Sequence, residues 1–275
     1  MRNILIIARK EIQEGLRNRW VLTTTLLLAA LALTLTFLGS APTGNVGARA
    51  LDVVIVSLSS LTVFLLPLIA LLISHDAIVG ESERGTMLLL LSYPIARWQV
   101  LLGKFVGHVS ILAFATLLGY GAAAVALAMS GSPIDTESLT AFAKMVGSSV
   151  LLGAGFIAVG YLVSASVRER GTAAGIAIAV WLVLVLIYDM ALLALLVVDQ
   201  GQTVSGGLLN ALLLLNPTDA YRLLNLTGGN VSALSGMGGV SQTANLSPPA
   251  LLAALTAWTL VPLLLAALTF AKKEL

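Results

Sequence analysis

The sequence predicts an all-α integral membrane protein with six transmembrane helices. An amphipathic interfacial helix precedes them, a short cytoplasmic helix follows the second, and a re-entrant or interfacial helical pair follows the fifth. Three observations predict this. Hydrophobic residues make up 58% of the 275 and charged residues only 10%, where a soluble domain carries about 25% charged. With a mean hydropathy of +1.00, the chain cannot cover a globule with polar side chains, so its solvent is mostly lipid. Six stretches run about 20 residues almost without charge, the length a helix needs to cross ~30 Å of hydrocarbon. Finally, twelve Lys and Arg fall in connections on one side and three on the other, which puts both termini in the cytoplasm.

Residues 1–19 have helical periodicity, with Leu5, Ala8, Ile12 and Leu16 on one stripe and Ile4 and Ile7 beside it. Arg2, Arg9, Lys10, Gln13, Glu14 and Arg17 fill the remainder. Such a helix lies in the interface with its cations near anionic head groups, unless it is a positive-inside anchor and nothing more. Gly39, Ser40 and Ala41 offer small residues for signal cleavage, but the basic segment before the first span is longer than in most signal peptides, so retention is expected. The spans are 21–38, 53–73, 109–129, 145–165, 172–198 and 250–271. Pro67 lies in the second, Asp189 in the fifth and Pro262 in the sixth, which Lys272 and Lys273 stop. No soluble domain is left over, so 1–275 forms a single transmembrane domain.

The cytoplasmic connection 74–104 holds most of the local signal. Asp76, Glu81, Glu83 and Arg84 precede Gly85, which breaks the helix, and Thr86 is placed to cap a new one. Four leucines, 88–91, follow, then Pro94, with Arg97 and Trp98 restarting the chain. The result is a short amphipathic helix between two breaks, of the kind a cytosolic motor needs to push against; otherwise the loop only joins spans. The outer connection 199–249 carries only Asp199, Asp219 and Arg222 as charges. Its apolar pieces 208–215 and 220–226 are too short to span and are divided by Asn216, Pro217, Thr218 and Asp219. The stretch 227–249 is rich in Gly, Ser and Asn and reads as a loop or docking surface. Glycosylation acceptor patterns at Asn225, Asn230 and Asn245 are expected by chance in so Asn- and Ser-rich a segment.

Chemistry is sparse. The chain has no cysteine, which removes disulfides and thiolate sites together. No phosphate-binding loop precedes Lys104, so any ATP and Mg belong to another subunit, and this chain carries no cofactor of its own. His75, Asp76 and His108 are the one candidate metal cluster, against the plainer reading of histidines at the head groups. The six methionines are scattered, which leaves a soft-metal path unsupported. Asp189 is the one charge deep in a span and must face protein or water, either lining an outward vestibule or holding a hydrogen bond. Two G-x-x-x-G pairs, Gly103 with Gly107 and Gly171 with Gly175, permit close helix approach, the second within a bundle or at a homodimer seam.

Glu81, Glu83, Arg84, Gly85 and Thr86, followed by Leu91, Ser92, Pro94, Arg97, Leu102, Gly103 and Lys104, resemble the pattern of ABC-2 type permeases between their second and third spans. The N-terminal amphipathic segment and the long last outer connection match as well, so the resemblance covers essentially the whole chain. Within the family, 213–226 is most similar to permeases that serve nitrous oxide reductase maturation. The resemblance implies a homodimer in the bacterial inner membrane, carrying cytosolic ATPase subunits below and a periplasmic partner above, in the assembly of copper sites. It assigns ATPase coupling to Glu81, Glu83, Arg84, Gly85, Thr86, Pro94 and Arg97. It assigns partner contact to the outer pair with Asn216, Pro217, Asp219, Tyr221 and Arg222. It places no catalytic residue in the permease. Three rivals stand beside this: an ABC-2 exporter of another small or sulfur-containing compound, a stand-alone secondary transporter, and an intramembrane enzyme built on His75, Asp76 and His108.

Overall fold

Where lipid replaces water, the backbone must satisfy its own hydrogen bonds, and every regular element among the described residues is helical. The computed structural model describes residues 2–17, 19–39, 50–130, 135–199, 205–226 and 246–273. Ser40, Ala41, Asn230, Asn245 and most of the 227–249 stretch therefore lie outside the described residues. The helices are α1 (Arg2–Arg17), α2 (Arg19–Gly39), α3 (Ala50–Ser74), α4 (Val79–Glu83), α5 (Thr86–Leu91) and α6 (Arg97–Met129). They continue with α7 (Thr136–Ser166), α8 (Arg170–Leu182), α9 (Tyr188–Asp199), α10 (Gly206–Leu214), α11 (Pro217–Leu226) and α12 (Pro248–Lys272). A π-helical turn, Val183–Ile187, joins α8 to α9 without interrupting the rod.

Five helical stretches among the described residues are long and apolar enough to cross a membrane: Leu51–Glu83, Arg97–Met129, Thr136–Ser166, Arg170–Asp199 and Pro248–Lys272. In α2 the apolar stretch Thr23–Thr36 is shorter. α7 is the central helix. It packs against α3, α6 and α12, and Leu152, Phe156, Ile157 and Tyr161 are buried along it. α1 and α2 both lie on α6, whereas α8 and α9 sit at the margin with most side chains outward.

α6 and α7 both begin well before their charge-free windows. Lys104 and His108 lie inside α6 because Glu11 and Glu81 bond the lysine and Tyr161 and Glu11 lie against the imidazole, so neither polar group needs water. α7 starts where Asp135 accepts the Ser138 N–H at 3.1 Å, an N-cap upstream of the charge-free stretch.

The protein-facing side of α1 is offset from its leucine stripe. Ile7, Ala8 and Glu11 are buried, while Leu5 and Leu16 are exposed. The cause is the first glycine pair. A Cβ on Gly103 would sit 2.7 Å from the Ile7 Cβ, and one on Gly107 would sit 2.5 Å from the Glu11 Cβ. α1 therefore presses its 7–11 face into the α6 backbone, and the leucine stripe is left for lipid.

Candidate functional site

The 74–97 connection is assembled from helix ends. After α3 closes at Ser74, the N–H groups of Ile78 and Val79 both donate to Ser164 Oγ at 3.0 Å. A side chain of α7 thereby does for α4 what a local cap would do. Gly85 reverses the chain at φ 72°, a conformation that costs glycine nothing and other residues dearly. Thr86 does not cap α5: it is the first residue of that helix, and its hydroxyl donates back to the Glu81 carbonyl at 3.2 Å. Past Pro94, Gln99 Oε1 accepts from the Ala96 N–H at 3.3 Å where α6 starts. On α5, Met87 is fully buried, while Leu88 and Leu89 are 56% and 69% exposed and Tyr93 just beyond is 65% exposed. The short helix is rooted by Met87, with Leu90 and Leu91 partly buried against the core, and turns an apolar edge outward.

Most charges of this segment are paired within the chain, while Glu83 and Arg84 stay exposed. Lys104 is 3% exposed, and its Nζ donates to Glu11 Oε1 at 2.8 Å and to Glu81 Oε1 at 2.7 Å. His108 Nε2 stands 3.6 Å from the other Glu11 oxygen, and its Nδ1 lies 2.9 Å from the Tyr161 hydroxyl. Burial pulls the Glu11 carboxyl up, but the charge and hydrogen bond of Lys104, with His108 and Lys10, outweigh it and hold Glu11 below its ordinary value. Asp76 Oδ2 takes Arg170 Nη2 at 2.7 Å, with Arg84 at 4.0 Å. Glu83 Oε1 accepts the Arg170 backbone N–H at 2.7 Å, placing a carboxylate at the N-terminus of α8, where the helix dipole favours it.

Arg97 sits at the meeting of α6 and α12. Its Nη1 donates to the carbonyls of Phe270, Ala271 and Lys273 at 2.8, 3.1 and 2.7 Å, and its guanidinium lies 5.7 Å from the Phe270 ring centroid. Lys273 in turn donates to the carbonyls of Ser164 and Val167 at 3.2 and 2.6 Å, closing the end of α7. Orphan carbonyls at two helix ends are met by cations, the favourable sign for that terminus.

A second polar group lies where α10 and α11 meet the π turn. That turn bonds i to i+5 and releases a carbonyl from the α ladder. The Leu184 carbonyl accepts from Asn216 Nδ2 at 2.9 Å and from the Thr218 hydroxyl at 3.5 Å. The Tyr188 hydroxyl donates to the Leu212 carbonyl at 2.7 Å. Arg222 pairs with Asp189 and, at 3.2 Å, with Asp219. The Tyr221 and Ser149 hydroxyls are 2.9 Å apart, and Asn225 Nδ2 donates to Ser148 Oγ at 2.9 Å.

The candidate residues thus divide. Glu81, Glu83, Arg97 and Asp76 bond to other helices of the same chain, leaving Arg84 and the α5 edge as the outward part of the connection. Asn216, Pro217, Asp219 and Tyr221 are buried against the bundle. A Cβ on Gly171 or Gly175 would meet no atom within 4 Å, so that face of α8 is open. His75 Nδ1 lies 3.0 Å from the Leu72 carbonyl, and among the described residues no three His, Asp or Glu side chains converge for a metal.

Glu11, Ser164 and the Arg97 cap were missed in the sequence. Only Lys104, a cation inside an apolar run, signalled that carboxylates had to be near.

The sequence matches the ABC-2 family transporter protein family over residues 5–275. The chain belongs to the ABC-2 family. Two relatives, each named a probable ABC transporter permease protein NosY, extend the match. The protein of Stutzerimonas stutzeri is 49% identical over 276 residues, covering 99% of each chain. That of Pseudomonas aeruginosa is 48% identical over 261 residues, covering 94% of each. In this ABC-2 chain the glycine–threonine break and the α5 edge are therefore parts of a transport subunit, consistent with the polar groups above serving helix contacts.

Proposed function

We propose that this ABC-2 chain is the permease subunit of an ATP-driven complex in nitrous oxide reductase copper-site maturation. α2 is the first of six spans, both termini and the 74–97 connection are cytoplasmic, and the complex sits in the bacterial inner membrane. A separate NosF-like ATPase binds ATP and Mg and pushes on α5. Two copies of the chain pair through the open face of α8 at Gly171 and Gly175, and a NosD-like periplasmic protein engages the outer side of α10 and α11. The permease itself acts mechanically, or exports a compound other than a metal ion, in keeping with a chain that has no cysteine.

The observation that carries this reading is the contrast within one segment. α5 offers Leu88, Leu89 and Tyr93 outward, while its flanks are bonded to α1 and α6 through Glu81 and Lys104, to α7 through Ser164, to α8 through Arg170 and to α12 through Arg97. A displacement of α5 therefore reaches most of the bundle through short polar contacts. The similarity to the two NosY proteins supports the biological setting.

Leu88→Asp combined with Leu89→Asp tests it. The variant chain is expected to insert normally but to lose ATPase association and leave the reductase without its copper sites. Full maturation by a stably inserted variant refutes the coupling role of α5.

A further inference from the structure

The trio Asp189, Asp219 and Arg222 has two carboxyls on one guanidinium. One oxygen of each carboxyl, Asp189 Oδ1 and Asp219 Oδ2, is buried without a hydrogen-bond donor from the chain. Asp219 is only 5% exposed, and a buried acceptor left unmet is costly enough to call for an explanation. Both carboxyls close on the same Arg222 Nη1, which sets them side by side, and two carboxyl oxygens bond to each other only when one carries a hydrogen.

We infer that Asp189 and Asp219 form a proton-binding site, holding one hydrogen between their orphan oxygens while Arg222 balances the remaining negative charge. With the proton the trio is neutral. Without it, one net negative charge is left among apolar helices.

The surroundings favour the protonated form. Burial and the neighbouring Asp189 charge push Asp219 up to about 7, against the opposing pull of Arg222 and Asn216. On α9 the Tyr188 phenol faces the pair and donates to the Leu212 carbonyl. The charged residues on α3, α7 and α12, which also pack on α11, are Asp52, Glu137, Lys144 and Lys272. None of these bears on Asp219, whose charged neighbours are Asp189 and Arg222. α10 and the π turn carry no charged residue.

The site joins two elements: Asp189 opens α9, and Asp219 and Arg222 belong to α11. Opening that seam to water would return Asp219 towards its ordinary 3.8. The closed seam thus binds more protons than the open one, and it weakens as pH rises from that ordinary value to about 7. The seam is a proton-sensitive latch between α11 and the outer part of the α8–α9 rod, and it stands whether or not an ATPase drives the chain.

Infrared difference spectra of the full-length chain in nanodiscs, taken between mildly acidic and mildly alkaline buffer, test it. A protonated-carboxyl C=O band is expected that shifts in heavy water and disappears with a midpoint near about 7. Asp189→Asn and Asp219→Asn are each expected to abolish it, because the hydrogen belongs to both. A wild-type spectrum without the band overturns the inference, as does a band unchanged in the two variants. A band that appears or disappears with sodium or calcium concentration at fixed pH, and not with pH, also overturns it, by putting a metal cation between the carboxyls. If neither variant inserts, the wild-type spectrum and its cation dependence decide.

Discussion

Replacing Lys104 by methionine keeps the side-chain volume and removes the charge that two carboxylates share. Nζ lies 2.8 Å from Glu11 and 2.7 Å from Glu81, and the side chains of Lys104, Glu11 and Glu81 are 4%, 9% and 19% exposed. Breaking a buried ion pair from one side costs about 3–5 kcal/mol, mostly because the partner charge is left behind. Here two partners are left, so the upper half of that range is expected, moderated by one carboxyl taking a proton. The triple variant Lys104→Met, Glu11→Gln and Glu81→Gln leaves no charge behind. It should recover most of the loss, since a buried ionic group replaced whole is often near neutral. Reversible chemical unfolding of the full chain in mixed micelles measures both. The reasoning fails if Lys104→Met falls within about 1 kcal/mol of wild type, or if the triple variant is no more stable than the single one.

Four further outcomes are expected. Gly107→Leu should cost about 1–3 kcal/mol by forcing α1 off α6, where a Cβ already comes within 2.5 Å of the Glu11 Cβ. Gly175→Leu, with nothing within 4 Å, should leave the unfolding midpoint of monomeric chain unchanged. Asn216→Leu strands the Leu184 carbonyl on the side that Asn216 Nδ2 satisfies at 2.9 Å; a loss of about 1–3 kcal/mol in the same unfolding assay is expected, and no loss would mean that Thr218 alone suffices. Glu11 titrates below its ordinary 4.5, so its contribution is complete above that value and is lost as pH falls through the depressed one. Wild-type stability should accordingly drop on acidification below 4.5, and Glu11→Gln should lack that part of the drop.

The features legible in the sequence are those written in composition and local punctuation. Long apolar runs locate the helices, Gly85 and Pro94 bracket α5, and Asn216 with Pro217 separates α10 from α11. What was not legible depends on which helix meets which. The apolar stripe of α1 leaves Leu5 and Leu16 exposed, as an interfacial helix requires, but the side turned to protein, Ile7 with Glu11, has no signal within α1, because the receiving surface is a glycine pair on α6. Charge-free windows start α6 too late because a lysine met by two glutamates does not need water. The π turn has no compositional mark at all: Val183–Ile187 is as apolar as its neighbours. Its one trace is indirect, an Asn–Pro–Thr segment whose polar groups bond to the Leu184 carbonyl.

The α8–α9 rod takes part in both polar groups while burying little of its own length. At one end Arg170 is held by Asp76 and Glu83 beside the α5 segment. Towards the other, Leu184, Tyr188 and Asp189 are held by α10 and α11. Between them, Trp181 donates to the Phe64 carbonyl at 3.0 Å. Within one copy, a helix fixed by few directional contacts and little packing moves at lower cost than one buried along its length, as α7 is. A second copy on the Gly171 and Gly175 face would hold α8, which leaves the π turn and α9 as the freer part. On the proposed reading, α8–α9 is therefore the member through which a push on α5 reaches the outer pair. The π turn then has a mechanical meaning. The rod departs from α geometry at 183–187, the kind of irregularity at which helices bend. Asn216 donates to the Leu184 carbonyl at 2.9 Å, and the Thr218 hydroxyl, donating to Asn216 Oδ1 at 2.8 Å, orients that amide. On the proposed reading, releasing Asn216 from the Leu184 carbonyl, rather than bending α7, is the route by which a push on α5 reaches α10 and α11.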